Sequence, residues 1–568
     1  MTRPFTVALL QLRAFDLAQH REAWADLLRH IDEAAALEPH PDLIVLPEAS
    51  YPAYFLHSRA TYDAAGVLSD TEVTATLAER ARRHGSAIAI GLVQRGQPGS
   101  PADGMLENAS VVFAADGTLA GRTTKSFLWH FDSVWFTPGT RYPVFNIGAA
   151  RAGAIVCADA RLPEITRSLA VGGAELIVDC TAWVSSGRDP AALSSAQVDY
   201  VIPTRAIENG TWIVAADKVG VEANSIVYAG RSGVVNPRGE WVVQGPSNRP
   251  GIVTHTLDLD EATGPPLERV PRLYADAATA SDDSRAAALT REPIVVAGTA
   301  ARVAAASMEA LPSAVELMER LRTLVRSLAA QGVQFLVLPD LAGTEAQAVS
   351  QRELLPLIEA LAAETHTLLA VLIAERGASH TYKTLYLIGG GSILAAHRQT
   401  HLTERERAGG YTAGDAAPPV VETALGNIGV LAGAEGLAPE LARGLKLRGA
   451  ELIAWCAHDG ASFSALAGVP LRTIARARAN EERAYVIAAG DTTDAGGGFV
   501  IDPTGAVLAE TIAGQAMAIS ADVHRMLARW NEMAPGTNPV RDRRPEAFRI
   551  LFESAESNSA QPESRRVT

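Results

Sequence analysis

The chain predicts a layered α/β fold, written twice in tandem. Two observations carry that reading. Short apolar strand candidates alternate with amphipathic helical stretches, and a set of motifs recurs in the same order in the second half. Alternation of this kind places helices against sheets whose strands are buried on both faces. In such folds the catalytic groups sit where strands end and loops begin.

The first half sets out its elements in order. "TVALLQL" from Thr6 opens as a strand, and its break at Gln11 and Arg13 argues against a secretory signal. "HREAWADLLRHIDEAAAL" from His20 has helical spacing of apolar residues. "DLIVLPE" ending at Glu48 is a second strand, and "TEVTATLAERARRH" ending at His84 a second helix. "AIAIGLV", "ASVVFAA", "AGAIVCA", "ELIVDCT" and "TWIVAA" follow, strand-like in length and β-branched content.

The repeat is visible motif by motif. "DLIVLPEAS" at 42–50 is echoed by "QFLVLPDLA" at 334–342, and "GGAELIVDC" by "RGAELIAWC". "LENASVVFAADGTLAGRTTK" at 106–125 lines up without a gap on "YKTLYLIGGGSILAAHRQTH" at 382–401. "RAIENGTWIVAA" matches "RANEERAYVIAA", and the closing "RVPRLY" at 269–274 matches "RRPEAF" at 543–548. The expected division is a first domain over 1–275, a linker over 276–290, a second domain over 291–549 and a disordered tail over 550–568. The linker reading rests on alanine-rich polar sequence without apolar periodicity, the tail on its polarity.

Charge and composition narrow the function classes. A net charge of −14 and a pI near 5.5 argue against nucleic acid or an anionic membrane as partner. No apolar run reaches the roughly 18 residues of a spanning helix. Three cysteines, at 157, 180 and 456, fit neither a disulfide framework nor a zinc pattern, so a reducing cytoplasm and no metal are expected.

Three strand ends in the first half deliver chemistry after an apolar run. Glu48 ends "LIVLPE", Lys125 ends "GRTTK", and Cys157 ends "AGAIVC". A thiol becomes nucleophilic as a thiolate, which a nearby carboxylate forms by taking the proton and a cation favours. The same cation, with a backbone N–H such as that of Ala158, stabilises an oxyanion developing on carbon.

These motifs resemble those of the nitrilase, or carbon–nitrogen hydrolase, superfamily. "LIVLPEAS", "GRTTKSF" and "GAIVCADARLPE" resemble the segments bearing that family's glutamate, lysine and cysteine. The resemblance implies a Glu48–Lys125–Cys157 triad, a thioester intermediate and no cofactor. It implies a four-layer αββα sandwich for each half. One position departs from the pattern: where many members carry a second glutamate before "Phe-x-Pro-Gly", this chain has Asp132 in "HFDSVWFTPG", a shorter carboxylate expected to pair with Lys125.

"CADARLPE" looks closer to the amidase and carbamoylase branches than to true nitrilases. The expected substrate is therefore a small amide or N-carbamoyl compound, with a nitrile as the alternative. Tyr51, Tyr54, Trp129, His130 and Trp183 follow the three motifs and are the pocket candidates, beside Ala158. A catalytically silent binding or assembly protein is the reading from another class.

In the second half the matching positions read Asp340 for the glutamate, His401 for the lysine and Gly433 for the cysteine. Without a nucleophile this half is expected to be a scaffold. The resemblance implies that it supplies in cis the helical face through which family members dimerise, giving an internal pseudo-dimer that is free to pair again. "RAxE" at 205–208 and 478–481, with Cys180 and Cys456, fits architecture rather than catalysis.

Overall fold

The computed structural model describes residues 2–553 apart from 97–98, 100–101, 186–188, 190–192, 293–299, 309–313, 343–350, 458–470 and 493–496. The strand Pro4–Arg13 shows why the chain layers as it does. Val7 and Leu9 point into a core between two sheets, while Ala8 and Leu10 point into a second core beneath helices. Both faces are buried, so the period of two carries apolar residues at every position.

That strand lies inside an eight-stranded sheet. Its order is Ile226–Ala229, Lys218–Glu222, Pro4–Arg13, Leu43–Val45, Ala87–Arg95, Leu106–Phe113, Leu119–Thr124, with Gly251–Asp258 also paired to Pro4–Arg13. The facing sheet runs Trp241–Gln244, Gly233–Val235, Trp212–Ala216, Leu176–Cys180, Ala150–Val156, Val144–Ile147. Helices α1 (His20–Ala35) and α2 (Asp70–His84) cover the first sheet with Leu27, Ile31, Ala34, Val73, Leu77 and Ala81, spaced three and four apart. A capping box of Ser69 and Glu72 starts α2. Helices α3 (Pro163–Val171) and α4 (Ile202–Asn209) cover the second sheet. The first half is thus a four-layer α–β–β–α sandwich.

The second half repeats it. One sheet orders Ser392–Arg398, Thr381–Gly389, Leu368–Arg376, Phe335–Asp340, Ala300–Ser307, Met517–His524. The other orders Val420–Thr423, Gly426–Ala432, Leu452–Cys456, Tyr485–Ala489, Phe499–Ile501, Val507–Glu510. Helices α5 (Ala314–Ala330) and α6 (Gln351–Thr365) lie outside the first of these, α7 (Pro439–Leu447) and α8 (Leu471–Glu482) outside the second. Cys180 and Cys456 fill the two inter-sheet cores. Among the described residues no helix is long and apolar enough to cross a membrane.

The halves meet through α3 and α4 against α7 and α8. Every residue of α7, and all of α3 but its last, is buried, as expected of helices covered on all sides. The charges there are paired reciprocally. Arg443 binds Glu164 at 2.8 Å and Arg167 binds Glu440 at 3.2 Å. At the centre the two "RAxE" motifs close a ring in which Arg205 and Arg478 each bind both Glu208 and Glu481. The interface has the self-complementary form of a two-fold axis, built within one chain.

Each half also lays its closing segment on the other. Leu273 and Tyr274 pack with Leu441 and Leu445, while Phe548 and Leu551 pack with Leu162, Ile165 and Leu169. Arg269 donates to the carbonyl of Leu551 at 2.6 Å where the two segments cross.

Two expectations need correction here. Residues 276–290 are not an extended linker: a 3-10 turn, Ala275–Ala278, and a helix, Arg285–Arg291, fold onto the second half. Ala286 packs with Leu447 and Val540, Leu289 is buried, and Ser284 caps the helix. The i, i+3 spacing of Ala286 and Leu289 supplies the single apolar face that an alanine-rich stretch conceals. The tail also starts later than position 550, because Leu551 is buried and Phe552 half-buried; positions 554–568 of that expectation lie outside the described residues.

Candidate active site

The strand ends of the first half converge as their positions suggest. Glu48 follows Leu43–Val45, and its segment passes so close to Gly91 that a Cβ there would sit 2.4 Å from the Glu48 Cα. Only glycine permits this approach. Glu48 donates its backbone N–H to the Thr181 carbonyl of the facing sheet, which fixes it at the joint of the two sheets.

Lys125 is fully buried and bridges two carboxylates. Its Nζ lies 2.7 Å from Glu48 Oε1 and 2.7 Å from Asp132 Oδ2. Asn108 Nδ2 also donates to Glu48 Oε1, at 2.6 Å, while Oε2 of Glu48 has no hydrogen-bond partner among the described residues. Asp132 is held in turn by the Tyr54 hydroxyl on Oδ1 (2.7 Å) and the Trp129 N–H on Oδ2 (2.9 Å). Burial pushes the Glu48 carboxyl up, against the pull of Lys125. Burial alone would push Lys125 down, but Asp132 and Glu48 hold it well above the usual amine range.

Cys157 ends the strand Ala150–Val156 and opens the 3-10 turn Cys157–Arg161. Its backbone is left-handed, with φ at 49°, a conformation strained for any residue but glycine and typical of functional sites. The surroundings impose it. The Cys157 N–H donates to Asp179 Oδ1 (2.8 Å), and its carbonyl accepts from Gln197 Nε2 (2.9 Å). Asp159 accepts from the N–H groups of Val156, Ser126 and Phe127 at 3.0–3.1 Å, tying the cysteine turn to the chain just after Lys125. Burial raises Asp159 to about 6 against those three donors. Burial, and then the Glu48 charge, push the Cys157 thiol well above its ordinary value.

A cleft of about 30 Å³ opens at Cys157. Tyr54, Trp129, Ala158 and Trp183 line it, as the sequence suggests. Tyr51 does not. Its ring packs on Trp24 and its hydroxyl accepts from the Leu68 N–H at 2.7 Å, because Tyr51 points into the helix layer outside the first sheet. His130 does not line it either. It is exposed, stacks edge-on against Phe131, and donates its backbone N–H to Thr537 Oγ1 at 2.6 Å. Sequence reasoning missed Arg161, Ser195 and Gln197, which line the cleft, and Asn108, Asp159 and Asp179, which hold Glu48 and the Cys157 turn by hydrogen bonds. The Asp and Arg of "CADAR" were signals available in the motif.

The second half departs from the gapless alignment. Lys125 donates its N–H to the Asn108 carbonyl and accepts from Gly139; Gln399 does the same with Lys383 and Gly414. Gln399, not His401, therefore occupies the lysine position, and Lys383 the Asn108 position. One residue fewer separates the second pair, because the hairpin loop at 390–391 is shorter than that at 114–118. The cation has changed strands: Lys383 Nζ lies 2.5 Å from Asp340 and 3.0 Å from Glu406, which replaces Asp132. Gly433 keeps the left-handed backbone of Cys157, with φ at 53°, and a Cβ there would lie 2.4 Å from Gln399 Oε1. His401 is a neighbour that stacks with Tyr274 and meets its hydroxyl at 2.7 Å.

Comparison with known proteins assigns both halves to one family. The family model for carbon–nitrogen hydrolases matches twice, over residues 6–264 and 302–532. A probable nitrilase of Schizosaccharomyces pombe is 26% identical over 254 residues, 43% of this chain and 88% of that protein. An (R)-stereoselective amidase of Pseudomonas sp. is 29% identical over 236 residues, 41% of this chain and 79% of its own length. Among solved structures, an amidase from Nesterenkonia sp. is 25% identical and aligns with a TM-score of 0.39 over 48% of this chain and 96% of that one.

Proposed function

Because this chain belongs to the carbon–nitrogen hydrolase family, we propose that its first half hydrolyses a small amide or N-carbamoyl compound, with Cys157 as nucleophile, Glu48 as base, and Lys125 as oxyanion stabiliser. The observation that carries this is the division of labour on Glu48. Its Oε1 is held by Lys125 and Asn108, while its buried Oε2 has no partner among the described residues and can take a proton. The relatives include proteins named amidase and nitrilase, and the "CADARLPE" motif favours the amide.

The thiol proton passes to Glu48 Oε2 as the sulfur attacks the amide carbon. Lys125 and the Ala158 N–H bear the charge on the tetrahedral oxygen, an interaction that strengthens as the charge develops. Glu48 then returns the proton to the departing nitrogen, and ammonia or an amine leaves a thioester. Water gives a proton to Glu48, cleaves the thioester to the acid, and the proton goes back to sulfur. Asp132 keeps Lys125 charged and placed, in the role of the family's second glutamate. The second half, over 291–549, acts as a scaffold without this chemistry, since Gly433 offers no nucleophile.

Ammonia release from amides, N-carbamoyl compounds and nitriles, measured with the intact protein and Cys157→Ala, tests the reading. Release from amides or carbamoyl compounds that disappears in the variant, with iodoacetamide labelling Cys157 ahead of Cys180 and Cys456, is expected. Release from nitriles alone reassigns the reaction. A Cys157→Ala protein as active as the parent refutes the thiol mechanism.

A further inference from the structure

The second half touches the rim of the cleft at two places. Asn480 on α8 accepts from Arg161 at 3.4 Å, and Thr537 Oγ1 accepts from the His130 N–H at 2.6 Å. The second contact bears on Lys125. His130 lies inside the turn Trp129–Asp132, which is closed from both ends. The Trp129 N–H donates to Asp132 Oδ2, and the Asp132 N–H to the Trp129 carbonyl, both at 2.9 Å. The same Oδ2 lies 2.7 Å from Lys125 Nζ. One turn therefore sets where that carboxylate stands.

His130 bends this turn into a shape that it would not keep by itself. Its backbone is left-handed, with φ at 52°, a region that a residue with a Cβ occupies at a cost unless its surroundings impose it. The side chain imposes little, since it is exposed and meets Phe131 only edge-on. The N–H is the group that the turn's own hydrogen bonds leave over, and Thr537 takes it.

The anchor is itself fixed. Thr537 is fully buried, donates its N–H to the Ala534 carbonyl and accepts from the Met533 N–H, both at 2.9 Å. Met533 and Trp129 pack against the same core of the first half. On either side of this loop the chain is pinned to α7. Lys446 donates to the Ala528 carbonyl at 2.8 Å before it, and Val540 packs with Leu447 after it. The first half treats its related residue differently. Thr263 stands six residues before Arg269, as Thr537 stands six before Arg543, yet it is exposed and donates to the Gly264 carbonyl at 3.3 Å. Of the two threonines, the one that reaches across faces the half that kept its thiol.

We propose that Thr537 is a positioning residue for the reaction in the other half: its hydroxyl holds the Trp129–Asp132 turn so that Asp132 stays against Lys125. This rests on the hydrolase reading above and adds to it, because the second half then completes the loop that carries the lysine's partner. Without the hydroxyl the His130 N–H turns to water, the left-handed residue relaxes, and Asp132 moves with it. Lys125 is left to Glu48 alone. It is then less firmly charged and less well placed where the oxyanion forms.

Thr537→Val removes the hydroxyl at nearly constant shape, and Thr537→Ser keeps it. Both are compared with the parent in ammonia release from its best amide or N-carbamoyl substrate, in urea midpoint, and in amide hydrogen exchange over residues 126–136. In Thr537→Val, kcat should fall about tenfold, the worth of one hydrogen bond, while KM moves less than about threefold. The loss of kcat at alkaline pH, where Lys125 gives up its proton, should begin at lower pH than in the parent, because a lysine with one carboxylate fewer releases its proton sooner. Exchange over 126–136 should quicken, and Thr537→Ser should restore all three. In an Asp132→Asn background Thr537→Val should cost less than about twofold, since it acts through that carboxylate. Unchanged exchange, an unchanged kcat per folded molecule, or a loss as large in Asp132→Asn as in the parent overturns the proposal. Where Asp132→Asn turns over too slowly to measure, the exchange and the pH profile decide. A parent that releases no ammonia overturns the hydrolase reading, and the exchange result then decides the anchor by itself.

Discussion

Replacing Arg205 by methionine, and separately Arg478, sets two nearly equivalent lesions against each other. Each arginine is fully buried, each binds Glu208 and Glu481, and each donates Nε to one carbonyl at 2.8 Å. Removing either leaves two buried glutamates sharing one guanidinium, which costs about 3–5 kcal/mol. The stability losses should therefore match within about 1 kcal/mol, seen as equal drops in the urea midpoint. The carbonyls differ. Arg205 holds that of Ala160, inside the Cys157 turn, whereas Arg478 holds that of Gly436 in the second half. A displacement of about 1 Å at a nucleophile costs on the order of 100-fold in rate. Under conditions where both variants stay folded, Arg205→Met should lose activity to about that extent and Arg478→Met only a few-fold. Adding Glu481→Gln to Arg205→Met removes the surplus charge and should return about half the lost stability. Equal losses of kcat in the two single variants, or an unmoved midpoint in either, would refute the reasoning.

Glu164 sits between Arg443 and Arg543, which overcome its burial and hold its carboxyl down at about 2 from 4.5. A depressed carboxyl stabilises the fold above its unfolded value and loses that contribution as pH falls, so about 3 kcal/mol should vanish between pH 4.5 and 2; acid titration of stability should flatten in Glu164→Gln. Restoring a thiol to the second half should fail. Cys157→Ala/Gly433→Cys should release no ammonia and lose stability, since the new Cβ meets Gln399 at 2.4 Å and the cation sits on Lys383; turnover by that double variant would refute the account of the second site. A chain ending at residue 291 uncovers α3 and α4 and loses Phe548 and Leu551 from the first-half core. It should aggregate or associate on size-exclusion chromatography, and a stable, active monomer would show that the seam is dispensable.

The sequence made the repeat, the layers and the three strand-end groups legible, because apolar period and motif order survive in both halves. The exchange of cation between strands was not. The strands correspond one residue out of the gapless match, Asn108 to Lys383 rather than Thr384, and a hairpin shorter by one more residue brings Gln399 onto the lysine position; a gapless match between similar strands hides both shifts. Tyr51 and Tyr54 look interchangeable in "ASYPAYF", yet Tyr51 faces the outer helices and Tyr54 faces Asp132. Arg161 and Asn480 lie 319 residues apart in sequence, and nothing local marks them as neighbours. The apolar face of Arg285–Arg291 is only two residues wide, too little to register as a period.

The seam between the halves has a bearing on how such a chain changes. A pair of identical subunits receives every substitution on both sides of its axis at once, so a residue that helps one side must be tolerated by the other. Joining the copies ends that coupling. Arg161 reaches Asn480 across the axis, while the positions related to them by the repeat hold the apolar Leu437 and Ile207, a pairing of different character. The lysine moved strands and the thiol was lost on one side alone. Fusion kept the geometry of a symmetric pair and released its residues from symmetry, so one lobe could specialise while the other became its mount.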